Sequence, residues 1–269
     1  MGRIIFEKQD LTWLKWSHIR GSSGTAGTLL KSYSEVGGVK RYYKLSSFDP
    51  YSGITGHECV NELIADRLLT ILGIEHLSYD LINADIEVGG KVYNTWLCSS
   101  EDYRKRGESK IALDDFFRMN AAPGEYPYDF CVRQGFGEYV DRMIAFDFII
   151  LNRDRHGANI EILRNSREHS VRPAPLFDHG LSLLCSCSDE REARLFDVME
   201  DRKCGNFIGG RSCFENLLLI GDKKNVFPGK LISSDRERLL EGLDGVLPDI
   251  FLRKIWEMII SRYELYENL

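Results

Sequence analysis

The sequence lacks the features of a membrane-spanning or secreted protein. No uninterrupted apolar stretch approaches the roughly 20 residues that a transmembrane helix needs. The N-terminus, MGRIIFEKQD, carries charged residues too early for a signal peptide. A myristoylation signal is also unsupported, because Phe6 stands where such a signal has Ser or Thr. We therefore expect a cytoplasmic protein without membrane contact.

The sequence also has no excess of basic residues. The chain has 35 Lys and Arg against 41 Asp and Glu, a net charge of −6 at pH 7. The large positive surface expected of a nucleic-acid-binding protein is therefore absent at the level of the whole chain, and we expect no direct nucleic-acid binding. The same balance argues against a strongly basic surface that would face a membrane.

The cysteines show no metal-binding pattern. There are seven, an odd number. Cys185 and Cys187 form a C-x-C pair, but no second pair lies near them in the sequence, as a zinc site would require. We expect free thiols in a reducing compartment.

The first hundred residues contain several segments whose composition predicts β-strands. One hairpin is predicted from Thr28–Lys31 and Val39–Leu45, which are separated by SYSEVGG. A second is predicted from LINADIEV and KVYNTWLC, which are joined by Gly89-Gly90. Between them, residues 57–72 carry apolar side chains at helical spacing, and Gly73 is a natural end for the helix.

The composition changes after Cys98. The stretch SSEDYRKRGESK is charged and has no apolar period, which indicates a passage between two lobes. The remainder is mainly helical, and residues 138–151 are apolar on nearly every side, as in a buried helix. These patterns predict an α+β protein with a small β-rich lobe over residues 1–98 and a larger helical lobe over residues 99–269, together forming one domain.

The stretch LNRDRHGANIEIL, residues 151–163, follows the buried helix and must begin as a loop. It contains Asp154 and Asn159, and Asp178 follows nineteen residues later in APLFDHGLSLL. Two carboxylates and an amide suit phosphoryl transfer: one carboxylate orients or deprotonates the attacking hydroxyl, while the amide oxygen and the other carboxylate bind Mg²⁺. His156, in the same loop, is interpreted as a structural histidine inside the lobe.

A phosphoryl-transfer site also needs groups that hold the phosphates. The segment RGSSGTAGTLLK, residues 20–31, offers backbone amides and hydroxyls from Gly21, Ser22, Ser23, Gly24 and Thr25. It lies just before a predicted strand but lacks the G-K-[ST] ending of a P-loop.

Lys44 is the candidate cation. It alternates with Tyr43 and Leu45 along a strand, so its side chain points away from theirs. Glu58 or Glu62, on the following helix, could pair with it and hold the ammonium near the phosphates. The succession of glycine loop, strand lysine, helix glutamate, D-x-x-x-x-N and a later Asp is typical of a kinase.

This succession resembles the HipA-like serine/threonine kinases of the protein-kinase-like superfamily. NRDRHGAN resembles their catalytic loop, PAPLFDHGLSLL their metal-binding segment and VNELIADRLLTILGI their N-E helix. The resemblance implies a two-lobed kinase fold that uses ATP and Mg²⁺. By resemblance, Asp154 would be the catalytic base, Asn159 and Asp178 the Mg²⁺ ligands, Lys44 the phosphate-contacting lysine and Glu62 its partner.

The resemblance also implies a protein substrate and an antitoxin-like protein as a partner. Some members of the family phosphorylate serines in their own glycine loop, where this chain has Ser22 and Ser23. Larger members carry an additional N-terminal subdomain. This chain starts almost directly at the nucleotide-binding lobe, so it resembles the short members.

Two other functions are open. Phosphatidylinositol kinases have a similar D-R-H-x-x-N loop, and small-molecule phosphotransferases share D-x-H-x-x-N, typically after His-Gly where this chain has Asn-Arg. A nucleotide-binding module without catalysis is the other alternative, although the side chains required for catalysis are present.

Overall fold

The computed structural model describes residues 2–17, 29–223 and 225–269. The N-terminal lobe is built around one sheet and one long helix. Its elements are β1 (Ile4–Asp10), β2 (Lys31–Val36), β3 (Val39–Leu45), β4 (Phe48–Asp49), β5 (Gly53–Ile54), α1 (Glu58–Leu72), β6 (Asp80–Val88) and β7 (Lys91–Glu101).

The main sheet has five strands in the order β1-β6-β7-β3-β2. β1 is parallel to β6, and the other neighbours are antiparallel. Gly89 and Gly90 connect β6 to β7 as predicted, with φ values of 61° and 79°. Such two-residue turns need positive φ, which glycine adopts without strain.

The first hairpin differs from its prediction. Thr28 lies outside the described residues; β2 runs from Lys31 to Val36, so the turn is only Gly37-Gly38. Most of SYSEVGG is therefore strand and not connector. The two glycines alone make the turn, and the alternating residues before them can pair fully with β3.

The sheet separates two hydrophobic cores. Tyr43 and Leu45 of β3 point into the smaller one, together with residues of β6 and β7. Lys44 lies between them in sequence and points to the opposite face, as the alternation predicted. That face is covered by α1, in which 13 of 15 residues are buried. The helix ends at Gly73, whose left-handed φ of 72° confirms the predicted end.

The C-terminal lobe is mainly helical and contains the larger core, to which α1 also contributes. Its elements are β8 (Glu108–Ala112), α2 (Leu113–Asn120), α3 (Pro127–Arg133), α4 (Gly137–Ile149), β9 (Asp154–Arg155), β10 (Glu161–Asn165), β11 (Ser170–Pro173), α5 (Glu190–Leu195), β12 (Gly205–Asn206), α6 (Cys213–Leu217), α7 (Asp235–Leu240) and α8 (Asp249–Glu267).

The chain passes between the lobes after Glu101, since β7 extends three residues beyond Cys98. It then enters a three-stranded sheet of the C-terminal lobe through β8, which pairs with β10. The architecture confirms the predicted α+β fold with a β-rich lobe followed by a helical one. Within the described ranges, no helix has both the length and the apolar character that crossing a bilayer requires.

Candidate active site

The ammonium group of Lys44 lies between two carboxylates. Its Nζ atom is 2.7 Å from Oε1 of Glu62 and 2.5 Å from Oδ1 of Asp178. Strand β3 supplies the lysine, α1 supplies Glu62, and the segment after β11 supplies Asp178. The ion cluster therefore joins three parts of the chain that are distant in sequence.

The two carboxylates decide the charge state of the lysine. Burial would by itself lower the pKa of Lys44, because it disfavours the charged form. Asp178 and Glu62 outweigh this effect, so the pKa is raised well above its ordinary value. Lys44 is a permanent cation at physiological pH.

Glu62 also fixes the backbone next to Asp178. Its second oxygen, Oε2, accepts a hydrogen bond of 2.8 Å from the backbone N–H of His179. One residue earlier in α1, the side-chain amide of Asn61 donates to the carbonyl oxygens of Gly180 and Ser182, at 2.9 and 3.0 Å. The helix thus holds the segment that carries Asp178.

The choice between Glu58 and Glu62 is settled by geometry. Glu58 lies one turn earlier in α1, and its Oε2 accepts a hydrogen bond of 3.0 Å from the backbone N–H of Ser47. It therefore holds the chain just after β3. Glu62 is the carboxylate that pairs with Lys44.

Asp178 has an unusual backbone. Its φ is 61°, in the left-handed region that few residues other than glycine adopt, although Asp and Asn tolerate it better than most. Its backbone N–H donates to the hydroxyl of Tyr79 at 3.5 Å.

The next residue, His179, is buried. Desolvation and, to a smaller extent, the charge of Arg155 lower the pKa of His179 well below its ordinary value. His179 is therefore a neutral ring beneath the ion cluster.

Asp154 begins β9, and 38% of its side chain is exposed. β9 is parallel to β12, where Asp154 pairs with Gly205. Asn159 closes the loop, because its Nδ2 donates to the backbone oxygen of Asp154 at 2.9 Å. The amide nitrogen is used within the loop, so the oxygen is the atom that would face a cation.

Arg155 is a functional residue that the sequence analysis missed. It is fully buried, and its Nε and Nη2 atoms donate to the two oxygens of Asp147, both at 2.8 Å. Nη1 donates to the carbonyl oxygens of Asn159 at 3.1 Å and Phe177 at 2.8 Å. One nitrogen thus brings the loop of Asn159 next to the residue before Asp178. Asp147 is the one charged residue in the otherwise apolar last part of α4, residues 143–149, and it was the sequence signal for such a partner.

The prediction for His156 is wrong. The side chain is not enclosed in the lobe; 47% of it is exposed, and its Nε2 lies 3.8 Å from Oδ1 of Asp154. The loop turns it outward because the neighbouring Arg155 takes the inward position. His156 belongs to the open side of the site.

The predicted glycine loop cannot be placed. Gly21, Ser22, Ser23, Gly24 and Thr25 lie outside the described residues.

The donor set fits a magnesium ion better than a transition metal. No group of three or more His, Cys, Asp or Glu side chains surrounds a common point in the part of the chain that the structure describes. Mg²⁺ does not need such a cage, since it is commonly held by one or two carboxylates together with substrate phosphates. Asp178 and Asn159 offer hard oxygen donors, and Asp178 already attracts the cation of Lys44.

No protein-family model matches the sequence, and no curated protein matches it. Among solved structures, the Helicobacter pylori proinflammatory kinase CtkA is similar over 96% of both chains, with a TM-score of 0.63 and 14% sequence identity. The chain has a kinase-like fold. The fold predicted from the sequence resemblance is therefore confirmed.

Two further structures are similar at a lower level. HipA of the Shewanella oneidensis MR-1 toxin–antitoxin system, solved with HipB and operator DNA, has a TM-score of 0.42 and 14% identity over 91% of this chain and 58% of that one. WaaP in complex with acyl carrier protein has a TM-score of 0.39 and 13% identity over 95% of this chain and 89% of that one. Both scores are below 0.5, so the fold rests on the CtkA structure.

Replacing Arg155 tests how far the site depends on the buried ion pair. Arg155→Ala should lower the free energy of unfolding by about 3–5 kcal/mol, because the Asp147 carboxylate would stay buried without a partner. Arg118→Ala is the control: Arg118 is 68% exposed and pairs with Asp115 on the surface of α2, so its loss should cost no more than about 1 kcal/mol. Denaturant unfolding measures both.

A double variant separates the charge from the packing. Arg155→Met combined with Asp147→Leu removes both charges and should destabilise less than Arg155→Ala alone. Equal losses for Arg155→Ala and Arg118→Ala would show that the buried pair does not hold the loops.

Proposed function

We propose that the chain is an ATP- and Mg²⁺-dependent kinase that transfers the γ-phosphate to a hydroxyl group, that of a serine or threonine in a protein. The observation that carries the proposal is the buried Lys44 ammonium held by Glu62 and Asp178. A cation on a strand, fixed by a helix carboxylate beside a second acid, is the arrangement that holds nucleotide phosphates in protein kinases.

Lys44 would bind the phosphates of ATP. A lysine ammonium is a compact charge on a flexible stem, so it can move from the Asp178 carboxylate to a phosphate oxygen while it keeps its contact with Glu62. The proposed glycine loop, Gly21 to Thr25, would cover the same phosphates with backbone N–H groups.

Asn159 and Asp178 would hold Mg²⁺ through their side-chain oxygens. When bound, the ion supplies positive charge that neutralises the phosphate oxygens during transfer. Arg155 keeps these two residues close, because it binds the backbone of Asn159 and of Phe177 with one nitrogen. Glu62 holds the other side of Asp178 through the N–H of His179.

Asp154 would act on the acceptor. Its carboxylate is partly exposed, so a hydroxyl can approach within hydrogen-bond distance, as a general base requires. The pairing with β12 and the amide of Asn159 fix its backbone. An acidic group in this place orients the hydroxyl and accepts its proton as the phosphate transfers. An antitoxin-like protein partner and a cytoplasmic location also belong to the proposal.

ATP and Mg²⁺ should raise the melting temperature together, because both bind the folded state only. Nucleotide at 100 times its Kd adds about 2.7 kcal/mol to the free energy of unfolding. Asp178→Asn should remove most of the Mg²⁺-dependent part of this shift, since a charged ligand becomes neutral. Thermal unfolding with ATP alone and with ATP plus Mg²⁺ measures the difference. An unchanged Mg²⁺ dependence would exclude Asp178 from the metal site.

Asp154→Asn should abolish phosphoryl transfer and leave ATP binding close to that of the wild type, because the side chain contacts the acceptor and not the nucleotide. Asp249→Asn is a matched control, since Asp249 is an exposed residue at the start of α8. Radioactive transfer from γ-labelled ATP measures the activity, with the chain itself as the first acceptor to examine. Transfer by the Asp154 variant at the wild-type rate would contradict the assigned role.

Mass spectrometry of the same samples tests autophosphorylation. Phosphate on Ser22 or Ser23 of the wild type, and none on the Asp154 variant, is the expected result. Two added negative charges beside the ATP phosphates would then weaken nucleotide binding. Phosphate on both proteins would mean that another kinase added it.

A further inference from the structure

Two of the seven cysteines lie beside the strand that carries Asp154. Cys204 directly precedes β12, and Cys213 is the first residue of α6. A bridge between Lys203 and Ser212 brings the two segments together, and the backbone N–H of Cys204 donates to the carbonyl oxygen of Arg211 at 2.8 Å. Cys204 and Cys213 therefore lie near each other, on adjacent segments of a short antiparallel pair.

Each sulfur atom has a hydrogen-bond partner of its own. The two thiols are close enough for each to shift the pKa of the other. Asn216 donates to Sγ of Cys204 at 3.4 Å, and Sγ of Cys213 donates to the carbonyl oxygen of Asn152 at 3.3 Å. Cys204 is partly exposed, whereas Cys213 is buried.

These surroundings give the two thiols different roles. The neighbouring Cys213 thiol and, to a smaller extent, the Asn216 amide lower the pKa of Cys204, while the neighbouring Cys204 thiol and burial raise the pKa of Cys213. The thiolate is the nucleophilic form of cysteine. Cys204, which solvent can reach, is thus the thiol that reacts first, and Cys213 is the neighbour that can resolve the product.

We propose that Cys204 and Cys213 form an oxidative modification site at which a hydroperoxide closes a disulfide, and that the disulfide slows phosphoryl transfer. The second part rests on the proposed kinase function; the first does not. The Cys204 thiolate attacks the peroxide, the O–O bond breaks, and an alcohol or water leaves after taking up a proton. The sulfur of Cys213 then attacks the resulting sulfenic acid, an S–S bond forms, and water leaves.

Asn152 connects the cysteine pair to Asp154, the proposed catalytic base. The Cys213 thiol donates to the backbone oxygen of Asn152, whose side-chain oxygen accepts the backbone N–H of Asp154 at 3.2 Å. A disulfide removes that thiol hydrogen. On the other side, Gly205 N–H donates to Arg153 O at 2.8 Å, so a shift of Cys204 moves the strand that pairs with Asp154.

A second thiol pair provides an internal control. Cys59 and Cys98 also lie close together, because both thiols donate to the carbonyl oxygen of Lys44, at 3.0 and 3.8 Å. Both are fully buried in the N-terminal lobe, so a dissolved peroxide cannot reach them in the folded protein. The proposal thus predicts selective oxidation of one of two similar pairs.

The first experiment maps the modification and needs no activity. The full-length protein is treated with hydrogen peroxide, the remaining thiols are alkylated after denaturation, and the peptides are sequenced by mass spectrometry. We expect five of the seven thiols to be alkylated and one linked peptide pair, Cys204 to Cys213. Cys204→Ser should retain its six remaining thiols, and Cys185→Ser should still form the disulfide.

The second experiment compares transfer from γ-labelled ATP in each protein before and after peroxide, once the peroxide has been removed by catalase. The wild type should lose about tenfold or more, because small displacements of a catalytic group have effects of this size. Dithiothreitol should restore the rate. Cys204→Ser and, as a second variant, Cys213→Ser should keep their own untreated rates.

Each outcome decides one part of the proposal. A disulfide at Cys59 and Cys98, a sulfinic acid on Cys204 without a disulfide, or seven unreacted thiols would overturn the modification site. A disulfide between Cys204 and Cys213 with no change in transfer would overturn the control of activity. No transfer even in the reduced wild type would refute the kinase function, while the mapping would still decide the disulfide.

Discussion

The burial of the Lys44 ammonium is the constraint on which the rest of the site depends. A cation in the interior must have partners, and here one partner comes from α1, before the larger lobe begins, and the other from the segment after β11, within that lobe. Glu62 is shared between the lysine and the backbone of His179, so the same carboxylate neutralises a charge and holds a loop. The ion cluster and the docking of the two lobes are therefore one structural feature.

A second buried cation, Arg155, holds loops in place, and it does so through a guanidinium group instead of an ammonium group. Its guanidinium group makes four hydrogen bonds, to Asp147, Asn159 and Phe177. The planar group leaves these partners little freedom to move relative to one another. Lys44 has two contacts through one nitrogen on a flexible chain. The molecule thus uses arginine where loops are held fixed, and the more flexible lysine where, under the proposed function, a phosphate replaces one of the partners.

Sequence patterns were sufficient for several local features, although not for the strand bounds of the first hairpin. The second hairpin, the end of α1 at Gly73 and the inward face of Lys44 follow from turn chemistry and periodicity. Side-chain positions that depend on tertiary contacts could not be predicted from such patterns. Whether Glu58 or Glu62 meets the lysine is decided by a strand and a loop outside the helix, and the inward position of Arg155 is decided by Asp147. His156 was misplaced for the same reason, because only one of two neighbours in the loop can point inward.

The left-handed backbone of Asp178 has a consequence for how such a chain can change over evolutionary time. The conformation at φ 61° would suit Gly or Asn at least as well as Asp, and Lys44 would keep Glu62 as a partner. A change of residue 178 to either would thus remove a proposed metal ligand without backbone strain, although Lys44 would lose one of its two carboxylate partners. Active-site residues are often selected against stability. Under the proposed function, position 178 is therefore where a lineage could lose catalysis without straining the backbone, whereas a change at Arg155 would leave the buried Asp147 without its partner.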